Sequence, residues 1–452
     1  MKHKDTKSLE NESIVKLLLK FSLPATIGML VQTLYNLIDT ILIGHTVGSI
    51  GIAALSIVFP IQIIFVGIAQ INGIGGASLI SIALGTKDRT HAESILGNAW
   101  CLSLISGVLV TLILLPLDEY ILKVIGVTST IRPYAKEYFD ITVLGAVFMM
   151  FYVVGINAIR ASGNPKVSML TVLGSTIVNI ILDVIFIVIL RKGLYGAALA
   201  TLITQVVTAF YVLYFFLSNQ GSLRVGIKSF KIQKKVIIRI FSVGLPSFVR
   251  MTTNAIILVI LNFLLGIYGG DMAIAVYGIV NRVMIFTNLP VLGITEGLQP
   301  ILGFSYGARL FKRLKKATRL ALFIASGYSC LVFIFLVTFP IEIIRMFTND
   351  SAIYLYGSRA LHILAPALMS LGFQTVVAGM FQSIGKAKPS LFLSLLRNVF
   401  LFIPIVFILS YYYRLDGVWW SFPTAYFSAF LITLIMFIYQ MRNFEFELEK
   451  TI

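Results

Sequence analysis

Long apolar runs are the feature that most limits how this chain can fold. The sequence has 452 residues, of which 58% are hydrophobic and only 12% are charged, whereas a soluble domain typically has about 25% charged residues. The runs reach the roughly 20 residues that a helix needs to cross a bilayer, and they lack the alternation of a membrane β-strand. The sequence therefore predicts an all-α polytopic membrane protein.

The apolar runs define twelve predicted transmembrane helices, which we expect to form two six-helix bundles around a central cleft. The predicted helices cover residues 15–44, 52–84, 91–116, 133–157, 166–190, 195–218, 237–267, 273–304, 312–340, 354–382, 389–412 and 416–441. The longest polar connection lies between helices six and seven. We therefore predict an N-terminal lobe over residues 1–218, a cytoplasmic linker over 219–236 and a C-terminal lobe over 237–452.

The second half of the chain repeats landmarks of the first half at a constant offset of 222 residues. The matched pairs are Pro24 and Pro246, Gly44 and Gly266, Gly75 and Gly297, Gly85 and Gly307, and Gly163 and Gly385. Because six helices is an even number, both halves enter the membrane from the same side. The halves are thus predicted to be parallel repeats, related by an axis along the membrane normal, with the substrate path between them.

The basic residues are unevenly distributed between the loops, which accounts for the net charge of +17. Of the 36 lysines and arginines, 25 lie in loops on the side of the N-terminus and 8 lie in loops on the opposite side. Because basic loops tend to stay in the cytoplasm, we expect both termini there, in a multi-pass protein of the cell membrane. The charge therefore predicts contact with membrane lipids and no nucleic-acid partner.

Two aspartates, Asp39 and Asp183, lie in segments that otherwise resemble ordinary membrane spans. An acid at bilayer depth is costly and usually faces a cavity, a pore or a partner. Asn179 precedes Asp183 by four residues and shares its helix face, and Thr201 in helix six offers a hydroxyl to the same region. We predict that these four residues form one cation-coupling site. Na⁺ would use their oxygens as ligands, whereas H⁺ would need a single carboxylate, and the sequence permits either ion.

A further set of polar residues in the spans predicts a substrate cavity. The set consists of Gln32, Tyr35, Asn36, Asn157 and Glu296. The first three recur with Asp39 at three- and four-residue spacing, so helix one has a polar face. Two interpretations of Glu296 stand: it lines the cavity and attracts cationic substrates, or it pairs with an arginine from another helix.

The second half repeats the helices without repeating the acids. The positions that match Asp39, Asn179 and Asp183 are Leu261, Leu401 and Ile405. We therefore expect the cation site in the N-terminal lobe alone. The second half instead carries three arginines inside its spans, Arg250, Arg282 and Arg397, for which a structural or interfacial position is the more common interpretation.

No group of residues in the sequence predicts an enzyme. There is no Walker lysine motif, no histidine or cysteine cluster for a metal, and no nucleophile with a matched base. A receptor or scaffold would normally carry a soluble domain or a long signalling tail. Twelve helices in two parallel repeats favour transport by alternating access over a channel.

Several stretches of the sequence resemble the multidrug and toxin extrusion family, and the resemblance covers nearly the whole chain. They are residues 21–24 with 35–40, 85–88, 160–165, 179–183 and 296–308. The last stretch is similar to the family's glutamine-proline signature, here Gln299 and Pro300. It departs from the family pattern at Ser305, where asparagine is common.

The resemblance implies a cation-coupled antiporter that exports amphipathic, often cationic, drugs or toxins. In relatives with acids in helices one and five, those acids bind the coupling H⁺ or Na⁺, and the four cation-site residues above match them. Gln32 and Tyr35 match positions that line the family's cavity. We expect a monomer with no cofactor beyond the coupling ion. The alternative is a flippase for a lipid-linked precursor, which predicts an arginine-lined cavity and more than twelve helices, and the sequence shows neither.

Overall fold

The computed structural model describes the backbone of residues 4–218, 221–348 and 350–449. Helices make up almost all of these three ranges, and no β-strand occurs within them. Ten helical segments are long and apolar enough to cross a membrane, and two of the ten contain a break that divides them. The described part of the chain thus contains the twelve predicted helices, α1 to α12.

The N-terminal lobe consists of the first six of these helices. They are α1 (Ile14–Thr46), α2 (Ser49–Gly85), α3 (Arg89–Leu114), α4 (Arg132–Ala161), α5 (Pro165–Ile189) and α6 (Gly193–Leu217). The last six residues of α5, Val184–Ile189, are π-helical. Two short helices, Lys4–Asn11 and Asp118–Val124, are additional to these six. After α6, the 3₁₀ turn Ile227–Phe230 lies in the connection to the second lobe.

The C-terminal lobe contains the other six helices. The stretch Lys234–Gly307 breaks at Gly270 (φ 63°) into α7 (234–269) and α8 (271–307). Then follow α9 (Phe311–Thr338), the short helix Pro340–Arg345 and α10 (Ser351–Ser383). Helix α11 (387–413) includes the π-helical segment Leu396–Phe402, and a break at Arg414 (φ 51°) separates it from α12 (415–449). Helix α10 begins three residues before its predicted start because the Asp350 side chain caps it, accepting from the Ala352 amide at 2.9 Å.

The backbone repeats its unusual conformations at the same offset as the sequence. Gly48 and Gly270, 222 residues apart, both have positive φ, 80° and 63°. Gly163 and Gly385, also 222 residues apart, have φ of 99° and 75°. Glycine adopts this left-handed region at low cost, so each repeat needs glycine at the same turn. The two lobes are therefore structural repeats, as predicted.

Glycines bring the lobes into direct backbone contact. A Cβ atom on Gly75 of α2 would lie 2.2 Å from the carbonyl oxygen of Ile240 in α7, and 3.0 Å from the Gly244 nitrogen. The repeat-related contact places Gly297 of α8 against Ser22 of α1, where a Cβ would lie 2.5 Å from the Ser22 nitrogen. Any larger residue at these positions would push the lobes apart.

Three separate apolar clusters show where the lobes meet and where they part. The joint cluster draws on both lobes and includes Leu18 of α1, Ile80 of α2, Ile240 of α7 and Leu302 of α8. The N-lobe cluster (with Ile43, Val58 and Phe139) and the C-lobe cluster (with Leu261, Val280 and Phe402) each draw on one lobe only. The joint cluster lies where α1 and α7 begin, which we call the closed end. Toward the opposite end, the open end, each lobe has its own core, and the cleft lies between them.

Candidate ion-coupling site

Asp39 and Asp183 are both buried in the N-terminal lobe, on adjacent helices. Asp39 lies in the half of α1 nearer the open end and is 8% exposed, while Asp183 in α5 is fully buried. Asp183 is the last α-helical residue before the π-helical turn of α5. The two carboxylates are close enough to interact electrostatically. The structure therefore brings together the acid pair that the sequence predicted to share a site.

Three of the four carboxylate oxygens of this pair are buried without a hydrogen-bond partner in the described part of the chain. Among the residues that the structure describes, no donor reaches Oδ1 of Asp39 or either carboxylate oxygen of Asp183. The side-chain nitrogen of Asn179, one helical turn before Asp183, is likewise buried without an acceptor. An unpaired charged carboxylate inside a protein is costly, by several kcal/mol even after relaxation. A bound proton or small cation would remove this cost, and ion binding at the pair stays a prediction.

Tyr35 and Thr201 border the acid pair and connect α1 with α6. Their hydroxyl oxygens, Tyr35 Oη and Thr201 Oγ1, lie 3.4 Å apart and share a hydrogen bond. Tyr35 also interacts electrostatically with both aspartates. Thr201 is half-buried, so its hydroxyl can face the same space as the carboxylates. The role of Thr201 as an ion ligand stays a prediction.

Two residues near the pair were absent from the sequence-based prediction. The buried Tyr138 of α4 interacts electrostatically with Asp39 and Asp183. Gln62 of α2 donates from Nε2 to the Tyr138 hydroxyl at 3.1 Å. Gln62 is a single polar residue on its helix face, so it produces no spacing of the kind that marked α1 and α5. Tyr138 does share its face with Tyr134 and Thr142 at four-residue spacing, a signal that the sequence-based prediction did not use. The Tyr138 hydroxyl adds a further oxygen to this region of the lobe.

The remaining cavity residues on α1 differ in exposure from the acid pair. Gln32 and Asn36 are exposed, whereas Tyr35 is half-buried and Asp39 is buried. The polar face of α1 thus has two parts. Tyr35 and Asp39 pack toward α5 and α6, whereas Gln32 and Asn36 lie outside the packed interior. An exposed amide on a membrane helix fits a water-filled cleft better than lipid. Their role in binding substrate stays a prediction.

Asn157 and Glu296 lie together at the closed end. The Arg160 guanidinium of α4 donates to the Glu296 carboxylate of α8 and, at 2.6 Å, to Oδ1 of Asn157. Asn157 also donates from Nδ2 to the Val153 carbonyl at 2.8 Å. Glu296 thus pairs with an arginine from another helix, one of the two interpretations of its sequence position. Its side chain remains 22% exposed, so a cavity role stays a prediction.

The corresponding region of the C-terminal lobe is apolar. Leu261, at the repeat position of Asp39, is fully buried in the C-lobe cluster, and Leu401 and Ile405 pack against that cluster. Aliphatic side chains therefore fill the place that the acids occupy in the other lobe. An ion site formed by this kind of acid pair would therefore lie in the N-terminal lobe.

The donor set suits a hard cation or a proton better than a transition metal. The described ranges contain no group of three or more histidine, cysteine, aspartate or glutamate side chains that could hold a metal ion. Asp39, Asp183, Asn179 and Thr201 offer two carboxylates, an amide oxygen and a hydroxyl. Oxygen ligands of this kind suit hard cations. These residues could therefore hold Na⁺, or one of the carboxylates could hold a proton.

Comparison with known proteins places the chain among membrane exporters. The MatE family model matches residues 24–185 and 246–408, one segment in each lobe, and the two segments begin at the repeat-related prolines. The chain is 28% identical over 446 residues to "Multidrug export protein MepA" of Staphylococcus aureus (strain MRSA252), covering 98% of this chain and 97% of that protein.

Solved structures show the same fold over nearly the whole chain. One is described as the outward-facing conformation of a multidrug resistance MATE family transporter of the MOP superfamily. It has a TM-score of 0.92 and 28% identity, and the match covers 98% of this chain and 99% of that one. Another, a crystal structure of MATE in the bent conformation, has a TM-score of 0.93 at 28% identity and covers 98% and 99%.

Proposed function

Because the chain belongs to the MatE family of multidrug export transporters, we propose that it couples the export of amphipathic, often cationic, drugs or toxins to inward movement of H⁺ or Na⁺. It is a multi-pass membrane transporter and not an enzyme. The proposal assigns ion coupling to Asp39 and Asp183, with Asn179 and Thr201 as further ligands. We propose that it acts as a monomer.

The single observation that carries this proposal is the buried, unpartnered carboxylate pair. Two neighbouring carboxylates cannot both stay charged and dry without a large electrostatic cost, since like charges in one site oppose each other's ionisation. Binding a proton or Na⁺ removes that cost. Asp39 lies on α1, which packs against α5 on one side and the second lobe on the other. Ion binding can therefore change how α1 packs and so influence the cleft.

The arrangement of the apolar clusters supports alternating access. The lobes share one core at the closed end and have separate cores at the open end. The basic residues concentrate in loops at the closed end, which favours a cytoplasmic position for that end. The described conformation would then open its cleft to the outside. From there an incoming ion reaches the acid pair, while substrate leaves the cleft.

The coupling energy is sufficient for useful export. One elementary charge that crosses 100 mV supplies about 2.3 kcal/mol. At about 1.4 kcal/mol per factor of ten, this corresponds to roughly 50-fold accumulation of substrate. One coupling ion per cycle therefore suffices for a drug without net charge. A monovalent cationic drug exchanged for one ion moves no net charge, so its export would draw on the concentration gradient of the ion.

The test is export of ethidium in everted membrane vesicles, where the cytoplasmic face points outward and export is measured as uptake into the lumen. The vesicles are energised in turn by a proton gradient and by a sodium gradient. Wild type is compared with the Asp39→Asn and Asp183→Asn variants. We expect gradient-driven efflux in wild type and its loss in both variants, at unchanged protein level in the membrane. The gradient that works identifies the coupling ion.

Asp140→Asn is the matched control. Asp140 is also an acid in a transmembrane helix, but its carboxylate lies 3.7 Å from Lys136 and is partly exposed. This variant should retain efflux. Unchanged efflux in both site variants would mean that the acid pair has a structural role, and the coupling proposal would be wrong.

A further inference from the structure

The C-terminal lobe carries its own polar site, on the helices that correspond to those of the acid pair. The repeat relates α7 and α11 to α1 and α5. Arg250 lies in α7, and Arg397 lies within the π-helical segment of α11. Irregular π-helical turns of this kind occur often at functional sites. The arginines are 147 residues apart in the sequence, so only the fold brings them to one place.

A hydrogen-bond network fixes Arg397 against α7. Its Nε donates to Oδ1 of the neighbouring Asn398 at 3.1 Å. Asn398 in turn donates from Nδ2 to Oγ1 of Thr253 at 3.0 Å and to Oδ1 of Asn254 at 2.8 Å. Thr253 lies one helical turn after Arg250, so the network anchors the second arginine close to the first. The two guanidinium groups are near enough to repel each other.

An aromatic ring orients the Arg397 side chain further. Its guanidinium carbon lies 5.1 Å from the centroid of the Tyr426 ring of α12. Stacking on an aromatic face leaves the edge of the guanidinium free, and that edge presents the paired N–H donors that match a carboxylate or phosphate. The Arg397 guanidinium is therefore fixed by the hydrogen bond of its Nε and by the contact of its face with the Tyr426 ring. Its terminal amino groups remain available to bind an anion.

Neither arginine has an acidic partner within the part of the chain that the structure describes. The acid that interacts with Arg250 is Glu296, but its carboxylate is engaged by Arg160 of the other lobe. Arg250 also makes no side-chain hydrogen bond to a described residue, and both arginines are partly exposed. Two neighbouring positive charges inside a membrane protein thus remain without compensation, which is costly unless a ligand supplies the negative charge.

We propose that Arg250 and Arg397 form a binding site for an anionic group, a carboxylate or a phosphate, on the amphipathic molecules that pass through the cleft. This inference rests on the proposed export function and narrows its substrate class. Arg250 occupies the repeat position of Gly28 in α1. Gly28 is eleven residues before Asp39, which is about 16 Å along a helix. The anion site and the ion-coupling site therefore lie in different lobes and at different depths. A zwitterionic amphiphile, with an apolar body and both charges, fits this cleft better than a simple cation.

The test compares the binding of two ligands that differ in one charge. Tryptophan fluorescence or calorimetry follows the binding of a fluoroquinolone, which has a carboxylate, and of its methyl ester, which has none. The protein is the full chain in phosphatidylcholine nanodiscs. We expect wild type to bind the acid at least tenfold more tightly than the ester. Arg250→Gln and Arg397→Gln should each remove most of this preference by weakening the binding of the acid alone.

Two controls separate this site from a structural effect and from the export function. Arg282→Gln removes an exposed arginine of α8 outside the Asn398 network and should keep the preference. Ethidium has no anionic group, so its efflux should persist in the Arg397→Gln variant. Loss of ethidium efflux in that variant, or equal binding of acid and ester by wild type, would overturn the anion site. Absence of ethidium efflux in wild type would instead contradict the export proposal.

A change of lipid composition distinguishes the two sources of the anionic group, a dissolved amphiphile and a lipid headgroup. Nanodiscs containing phosphatidylglycerol offer a competing phosphate in a headgroup. If the preference for the acid persists in them, the site takes an anionic group of a dissolved amphiphile. If phosphatidylglycerol abolishes the preference in wild type, the same arginines bind a lipid phosphate, as a flippase would require. Both results support an anion site, and they assign it to different molecules.

Discussion

The Arg160 guanidinium of α4 donates to the Glu296 carboxylate of α8, and this ion pair crosses from one lobe to the other. Both side chains are largely withdrawn from solvent, at 9% and 22% exposure. The ion pair lies at the closed end, where the two six-helix bundles share the joint apolar cluster. Removing one partner should therefore weaken the closure of this end.

We predict that Glu296→Gln lowers the free energy of unfolding by about 3 kcal/mol, because it leaves the Arg160 charge buried without a partner. Thermal unfolding in detergent measures the change. Arg89→Gln is the control. Arg89 is 46% exposed, so its i,i+4 ion pair with Glu93 should contribute less than about 1 kcal/mol and its loss leaves no buried charge. Equal effects of the two substitutions would show that the ion pair between the lobes does not stabilise this conformation.

A second prediction concerns the glycine contacts between the lobes. Gly75→Ala would place a Cβ 2.2 Å from the Ile240 carbonyl oxygen, and Gly244→Ala would place one 1.9 Å from the Ile71 carbonyl oxygen. Because backbone atoms cannot move aside cheaply, the lobes must separate at the closed end. We expect both variants to shift the population toward a conformation that is open at this end.

Spin labels at the exposed loop positions Lys87 and Arg309, one in each lobe, would report this shift as a longer electron-resonance distance. Gly174→Ala is the matched control. A Cβ atom at Gly174 would meet no neighbouring side chain or helix within 4 Å, so this change should leave the distance alone and stabilise α5 by up to about 1 kcal/mol. A distance in Gly75→Ala that equals that of the control would contradict the prediction.

The helices and their repeat could be predicted from the sequence because their causes are local or periodic. A bilayer requires long apolar runs, and a turn such as that at Gly163 requires glycine in both repeats. Asp39 and Asp183 were found for the same reason, since a charge in an apolar run stands out and Asn179 shares a face with Asp183.

Contacts between single residues on distant helices left no such pattern. Gln62 is an isolated polar residue on its helix, Tyr138 is one of several polar residues on α4, and the Asn398 side chain links Arg397 to α7. Nothing in spacing predicts such pairings. The sequence also does not determine which end of the cleft closes, because under the proposed alternating access the same residues would support both conformations.

A third prediction distinguishes the two coupling ions. Thr201→Val removes a hydroxyl that Na⁺ would use as a ligand and that a proton on a carboxylate would not need. If Na⁺ is the coupling ion, we expect the Na⁺ concentration for half-maximal efflux to rise by about 10- to 100-fold, as for the loss of a supporting group at other metal sites. If the ion is H⁺, the pH dependence of efflux should stay close to that of wild type.

Tyr35→Phe is the companion variant, because it removes the other hydroxyl of the 3.4 Å contact and leaves Thr201 in place. If Na⁺ is the coupling ion, Tyr35→Phe should raise the Na⁺ concentration for half-maximal efflux by less than Thr201→Val does. A larger effect would mean that the tyrosine hydroxyl, and not Thr201, is the ligand from this side of the site.

The last prediction follows from thermodynamic linkage between ion binding and folding. A ligand that binds only the folded protein stabilises it by about 2.7 kcal/mol when its concentration is 100 times the dissociation constant. Wild type should therefore unfold at a higher temperature when the coupling ion is added. Asp183→Asn removes a carboxylate whose two oxygens have no described partner. This variant should be more stable than wild type without the ion, because the neutral amide costs less to bury than an unpaired charge. The unfolding temperature of this variant should rise little when the ion is added.

Differential scanning fluorimetry across a NaCl series at constant ionic strength, with KCl as the balancing salt, measures the sodium response. A pH series in KCl measures the proton response. Asp140→Asn serves again as the control and should respond to the coupling ion as wild type does. If the Asp183→Asn variant gains as much as wild type from whichever ion stabilises the protein, Asp183 does not bind that ion. Asp39, on the facing helix, would then hold it alone, and the same titration on Asp39→Asn would show the loss.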